Sequence, residues 1–543
     1  MQVTHSNNNS VLKGIALLSG VALLAKVISA AYRIPYQNLS GDLGFYVYQQ
    51  VYPLYGIIMV LAMYGFPVVL SKERAELLAG GKVEEAKKMM SLFFYGLLLF
   101  SVVSWVALFA FAEVIAFMMG DGRLETPIRA MSHVVLLLPF LSVGRGFHQG
   151  EGDLIPTAVS HVAEQFIRVL FILGFTYLFV ELGFNAYTIG TGAAYGSVFG
   201  GIVGILLLLI LTKARWIREL VHPRHLNFFS MMKSNLALMK QSVFICLTAL
   251  ILVLFQLIDA FSVVRLLQWS GTLELVAFEA KGVFDRSQPL LQLGTIITTT
   301  LALALVPMLT KAIMEGNTER AQHYQHLSYR LAILVGGAAT VGLFVIIEPT
   351  NHFLYTDAAG TNVLRVMSLA ILFSSLFTTI SAVLQGYNFT YIPAIAVVLG
   401  VFVKLGSNVI LISFFGTLGA AWSTVIAASV MVVFLLLAFH KKKELHLGSY
   451  RSYVPIIMVL AVMGMVTFLW KSGFTYLVSG DSRGLSAFIA LSSAGVGGLI
   501  VAVCLFTMPI FTEEEWSNIS KLNQIRVRLK KWLQYLKEHG GKR

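Results

Sequence analysis

Charge is scarce in this chain of 543 residues. Asp, Glu, Lys and Arg make up 12% of it, and apolar residues 57%. A soluble chain averages about 25% charged residues, so this composition excludes a water-soluble globular protein. Cysteine is nearly missing. Cys246 and Cys504 both sit in apolar runs, which excludes a disulfide framework and any metal-ligand spacing. The chain has no GxxxxGK[ST] loop to cradle nucleotide phosphates, no HExxH and no nucleophile elbow. A built-in ATPase, a metallohydrolase and a serine hydrolase therefore find no support, and the expectation is that this is not an enzyme. No polar block is long enough for a separate soluble domain.

What is present is a series of apolar runs, each long enough to cross a bilayer core of about 30 Å. They predict an all-α polytopic membrane protein with fourteen spans, near 11–31, 45–70, 91–114, 128–147, 156–181, 189–212, 240–265, 289–310, 330–348, 363–385, 392–414, 418–439, 453–471 and 485–508. The first run follows a ten-residue polar start without a convincing cleavage site, and reads as a retained helix. An even number of spans puts both termini on one side. Of the 40 Lys and Arg, 28 fall on the side of the termini and 9 on the other, with Lys26, Arg168 and Lys404 inside spans. The positive-inside bias then predicts cytoplasmic N- and C-termini. The net charge of +13 reports topology and suggests no nucleic-acid partner.

The chain also repeats. Gln149-Gly150 recurs as Gln385-Gly386 and the cation Arg168 as Lys404, both 236 positions on. Gly81–Ala86 resembles Gly316–Ala321, Pro67 resembles Pro307, Pro156 resembles Pro393, and Gly192–Tyr195 resembles Gly419–Trp422. Matches in constant order map spans 2–6 onto spans 8–12 and predict a parallel repeat of six plus six. The expected organisation is a first lobe at 1–223, a pseudo-symmetric second lobe at 224–445, two added spans at 446–511 and a tail at 512–543. In the tail, Thr512 and Glu515 fit a capping box. Trp516, Ile519, Leu522, Ile525, Leu529, Trp532 and Leu536 form an apolar stripe beside Arg526, Arg528, Lys530, Lys531 and Lys537. Such a helix suits anionic membrane lipids; packing against its own protein is the alternative.

Charges inside spans are costly and mark candidate sites. Lys26 lies mid-span, seven residues before Arg33 on the same helix face. It is either part of an anion-binding site or a bridge to a carboxylate elsewhere, with Asp259 the candidate; Arg33 can also snorkel to the interface. Glu164 precedes Arg168 by four residues, which predicts an intrahelical ion pair or a cavity cation with a switchable partner. Lys404 holds the equivalent place in the second half. Asp259 is a candidate proton or cation site. Arg145, His148 and Glu151 lie at a turn shaped by glycines, either solvated or serving as an inner gate for a charged headgroup.

Three segments carry a family likeness: Leu23–Tyr36 (LLAKVISAAYRIPY), Gly65–Glu76 (GFPVVLSKERAE) and Arg145–Val169 (RGFHQGEGDLIPTAVSHVAEQFIRV). They resemble bacterial polysaccharide-transport proteins, the branch of the multidrug/oligosaccharidyl-lipid/polysaccharide (MOP) exporters that holds stage V sporulation protein B-like and lipid II flippase-like members. The resemblance implies two six-helix lobes around a cavity that opens alternately to either side, in the bacterial plasma membrane. It implies a lipid-linked sugar pyrophosphate as substrate, moved from the inner to the outer leaflet, with cavity cations falling on Lys26 and Arg33. No cofactor is implied beyond a coupling H+ or Na+, and envelope-synthesis proteins are conceivable partners. A cation-coupled drug antiporter of the same superfamily is the runner-up, kept open by Glu164 and Asp259. A membrane scaffold for envelope synthesis is the third reading.

Overall fold

The computed structural model describes residues 20, 23–220, 228–477, 480, 482–512, 515–516 and 528. Among them there is no strand, as expected of backbone that must satisfy its own hydrogen bonds in lipid. The first described helix, α1, covers 23–31. It leads into α2 (Arg33–Val60), a π-turn at Leu61–Gly65, and α3 (Phe66–Ala79). There follow α4 (Val83–Ala110), α5 (Ala112–Met118), α6 (Glu125–Ser132), α7 (Leu138–Gly150), α8 (Ile155–Glu181), α9 (Ala186–Leu211) and the short α10 (Arg215–Arg218). The second half comprises α11 (Phe228–Trp269), α12 (Glu274–Asp285), α13 (Ser287–Met314), α14 (Thr318–Tyr355), α15 (Thr361–Gly386) and α16 (Tyr391–Lys441). The last two are α17 (Val454–Leu477) and α18 (Arg483–Thr507).

Among the described residues, twelve stretches are long and apolar enough to cross a membrane. Two of them, Leu23–Ala79 with 57 residues and Tyr391–Lys441 with 51, each take up two of the expected spans. At 1.5 Å per residue they are roughly 75–85 Å long, more than twice a bilayer core. Both break at a glycine in the left-handed region, Gly41 (φ 68°) and Gly416 (φ 57°). That backbone is open to glycine and strained for other residues. The start of the first expected span lies outside the described residues.

The chain forms two compact units. One holds Met1–Ile296 with Asn388–Leu435, the other Ile297–Tyr387 with Leu436–Arg543. This partition differs from the boundaries suggested by the repeat: α11, α12 and most of α16 pack with the first-half helices. In the first unit α8 and α9 approach closely through glycines. A Cβ at Gly196 would stand 2.8 Å from Ile172 Cγ1, and one at Gly200 would stand 2.6 Å from Arg168 Cβ. Small residues of this kind let membrane helices touch backbone to backbone. Asn185 caps α9 by accepting from the backbone N–H groups of Tyr187 and Thr188, each at 3.0 Å. The second unit packs α14 on α17 and α18 around Leu334, Ile456, Val459 and Ile510.

The expected capping box at the head of the tail is present. Thr512 N–H donates to Glu515 Oε2 (2.8 Å) and Glu515 N–H donates to Thr512 Oγ1 (3.2 Å). Glu515 also accepts from Arg330, whose Nη1 donates to the Ile510 carbonyl at 2.6 Å. The apolar stripe beyond Trp516 and its basic residues lie outside the described residues, apart from the backbone at Arg528.

Candidate functional site

A ladder of tyrosines runs along the start of the first unit. Tyr32 and Tyr36 are four residues apart; Tyr48, Tyr52 and Tyr55 are spaced by four and three, so each set shares a helix face. Ring centroids lie 5.2 Å apart for Tyr36–Tyr48, 6.1 Å for Tyr48–Tyr52 and 5.9 Å for Tyr52–Tyr55. All five are buried.

Two arginines are set into this ladder. Arg33 is fully buried, with its guanidinium 4.1 Å from the Tyr52 ring centroid. None of its three nitrogens meets a well-placed hydrogen-bond acceptor; its polar neighbours are the phenols of Tyr32, Tyr48 and Tyr52. Asp285, a carboxylate near enough to feel it, is already bonded by Lys281 Nζ at 2.5 Å. Arg168 is also fully buried. Its Nη2 donates to Ser29 Oγ and Gln165 Oε1, both at 2.9 Å, and its Nη1 to the Tyr32 hydroxyl at 3.4 Å. It lies over the rings of Tyr55 (4.5 Å) and Tyr32 (4.9 Å). Both cations are thus held by neutral groups. A cation–π contact returns about 0.5–2 kcal/mol, while burying an ion costs several kcal/mol. An anion brought to Arg33 would recover the difference. Lys26, on α1, is half-buried. It forms no ion pair with Asp259.

Three expectations about charge pairing are corrected by this geometry. Glu164 does not pair with Arg168. Its Oε2 accepts from Arg145 Nη2 at 2.7 Å, and its Oε1 from the Tyr55 hydroxyl at 3.3 Å. The reason lies in the π-turn, which presents the Ala62 carbonyl to Arg145 Nη1 (3.2 Å) and fixes that guanidinium beside α8. Second, Arg145 and His148 are not at a solvated turn: they are 1% and 5% exposed, inside α7. Of the three proposed gate residues only Glu151 reaches the surface, where it accepts from Arg74 (2.8 Å) and Arg215 (2.9 Å). Third, the partner of Asp259 is Lys404, with Nζ 2.8 Å from Oδ1 and both side chains buried. Lys404 is therefore neutralised by a direct ion pair. Arg168 and Lys404, equivalent in the repeat, sit in opposite electrostatic environments.

The segment before α13 carries charges of both signs and is helical. It is α12, which buries Lys281 and Asp285, and Arg286 just after its end is buried too. Arg286 grips Asp42 with two bonds, Nε to Oδ1 at 2.9 Å and Nη2 to Oδ2 at 2.6 Å. Gly282 makes this approach possible, since a Cβ there would stand 2.2 Å from the Asp42 carbonyl oxygen. The tyrosine ladder and Ser29 were missed by the charge-led reading, although the 32/36 and 48/52/55 spacings carried the signal. Among the described residues no group of His, Cys, Asp and Glu is placed to hold a metal ion.

A multi-span helical fold with uncompensated buried cations defines a class, the membrane transporters. The model of the family described as polysaccharide biosynthesis protein matches residues 11–313. Over 528 residues the chain is 34% identical to the uncharacterized membrane protein YabM of Bacillus subtilis, covering 97% of each. It is 25% identical to the lipid II flippase MurJ of the same organism, over 92% of this chain and 95% of that one. Stage V sporulation protein B of B. subtilis is also 25% identical, over 95% and 99%. Among solved structures, lipid II flippase MurJ in an inward closed conformation superposes with a TM-score of 0.64 at 14% identity, covering 91% of this chain and 97% of that one. An inward-facing MATE transporter of the MOP superfamily gives 0.62 at 17% identity, over 77% and 96%. The chain belongs to the polysaccharide biosynthesis protein family, in the MOP exporter branch that includes MurJ and stage V sporulation protein B.

Proposed function

We propose that this protein is a flippase for a lipid-linked oligosaccharide or a peptidoglycan or polysaccharide precursor, carrying it from the inner to the outer leaflet by alternating access. The observation that carries the proposal is Arg33: a guanidinium buried in a membrane-spanning helix, stacked on Tyr52, with only phenols as polar neighbours and no hydrogen bond of good geometry. A guanidinium fork matches phosphate oxygens bidentately, and the low dielectric strengthens that bond. In this reading Arg33 binds the diphosphate of the carrier lipid, Arg168 supplies the second charge and Lys26 attracts the headgroup from one turn and more away.

The drive is an ion gradient or the membrane potential. A charge crossing the membrane is worth about 2.3 kcal/mol per 100 mV, so a diphosphate with two negative charges gains roughly 4–5 kcal/mol on moving outward, down an interior-negative potential of about 100 mV. A proton- or cation-coupled drug antiporter would need a free carboxylate in the first-half helices. Glu164 is tied to Arg145 and Tyr55, which counts against that reading.

The test is complementation of a strain depleted of its lipid II flippase, followed by an assay of lipid II accessibility at the outer leaflet. Rescue by the wild type, loss with Lys26→Ala and partial activity with Lys26→Arg are expected. Normal flipping by Lys26→Ala at equal membrane levels would remove Lys26 from the substrate path. No rescue by a well-expressed wild type would point to another lipid-linked sugar.

A further inference from the structure

The surroundings of Lys404 have the chemistry of a cation site. Its Nζ donates to Asp259 Oδ1 at 2.8 Å, to Thr424 Oγ1 at 2.7 Å and to the Ala420 carbonyl at 3.1 Å. A carboxylate, a hydroxyl and a backbone carbonyl are the ligand types of hard cations. The cage is supported on its far side by Asn408, whose Nδ2 donates to Asp259 Oδ1 (3.0 Å) and Ser262 Oγ (2.8 Å). Asn408 is fully buried, and its own Oδ1 meets no donor. The pocket is assembled by α11 and the two limbs of α16, which fold back on each other at Gly416. There Gly419 is tight against the Leu411 carbonyl, with 2.1 Å left for a Cβ.

We infer that Asp259, Thr424 and the Ala420 carbonyl, with Asn408 holding the carboxylate in place, form a monovalent-cation site that the chain fills with its own Lys404 ammonium. The lysine is a tethered cation. In the wild type this site takes up no free metal ion, so a sodium-coupled step at Asp259 is absent. Removing the side chain while keeping the carboxylate opens an oxygen-lined cavity with one net negative charge, and a free hard monovalent cation replaces the ammonium. The inference concerns ion occupancy and stands independently of the lipid-linked substrate.

The experiment uses the full chain purified in detergent, with thermal melts followed in NaCl, KCl, NH4Cl and choline chloride at constant ionic strength. Wild type is expected to melt at one temperature in all four. Lys404→Ala is expected to melt several degrees lower in choline, and to regain a saturable part of the loss with Na+, K+ or NH4+. The double variant Lys404→Ala/Asp259→Asn is expected to be indifferent to the cation. Lys404→Met, which fills the cavity with an uncharged chain, is expected to be destabilised without recovery by ions. Saturable stabilisation of the wild type by Na+ that disappears in Asp259→Asn would overturn the inference. So would a folded Lys404→Ala protein that ignores every ion, or a Lys404→Ala protein that fails to fold in all of these salts.

Discussion

Replacing Arg33 with methionine separates a binding role from a structural one by the sign of its effect on stability. The guanidinium is fully buried; its closest favourable contact is the face of Tyr52 at 4.1 Å, and the phenols of Tyr32 and Tyr48 are near without a hydrogen bond of good geometry. Losing that contact costs about 1–2 kcal/mol. Removing an ion that has given up its water and met no acceptor relieves several kcal/mol. Methionine is close in length and flexible enough to fill the space. The balance predicts that Arg33→Met is more stable than the wild type, by about 1–3 kcal/mol, while transport is lost. Arg168→Met is the control. Arg168 donates three hydrogen bonds, to Ser29, Gln165 and Tyr32, and leaving those acceptors buried and unpaired costs about 1–3 kcal/mol each. Arg168→Met should therefore lose both stability and transport. The assay is a thermal melt of each purified variant beside the leaflet-accessibility measurement in membranes. A less stable Arg33→Met that still transports would refute the reasoning, because it would make Arg33 a structural cation.

Breaking the Arg145–Glu164 pair from either side should cost about 3–5 kcal/mol, and the double Arg145→Met/Glu164→Met should recover most of it; expression level and melting temperature read both. Gly200→Ala should destabilise by about 1–3 kcal/mol through overpacking against α8 and weaken transport by displacing Arg168; restoration by a second, smaller substitution at Ile172 would argue against that local cause, since Ile172 faces Gly196. Glu515→Ala removes the capping box and the acceptor of Arg330. Trypsin cleavage within the tail should then be faster by a factor of about 5 or more, taking about 1 kcal/mol for the cap alone; an unchanged digestion rate would show that Glu515 does not anchor the tail.

The helical class, its many membrane-length apolar stretches and the family were legible in the chain because they depend on local order: runs of apolar residues about 20 long, turn glycines, and motifs such as Arg145–Val169. The capping box at Thr512 and Glu515 was legible for the same reason, since the two are three residues apart. Lys26, Arg33, Arg168 and Lys404 could be marked as candidates because any charge in a membrane span is conspicuous. Their pairing could not be read. Arg145 and Glu164 are 19 residues apart, Asp259 and Lys404 are 145 apart, and Asp42 and Arg286 are 244 apart. Coulomb energy falls with distance in space, and distance in space is set by how the helices pack. A four-residue spacing suggested Glu164–Arg168, yet the π-turn and the close α8–α9 contact turned those two side chains to different partners. Local sequence thus established that costly charges lie within the membrane-spanning helices. Only the packing of those helices decided that Lys404 pairs directly with a carboxylate while the direct contacts of Arg33 and Arg168 are neutral groups.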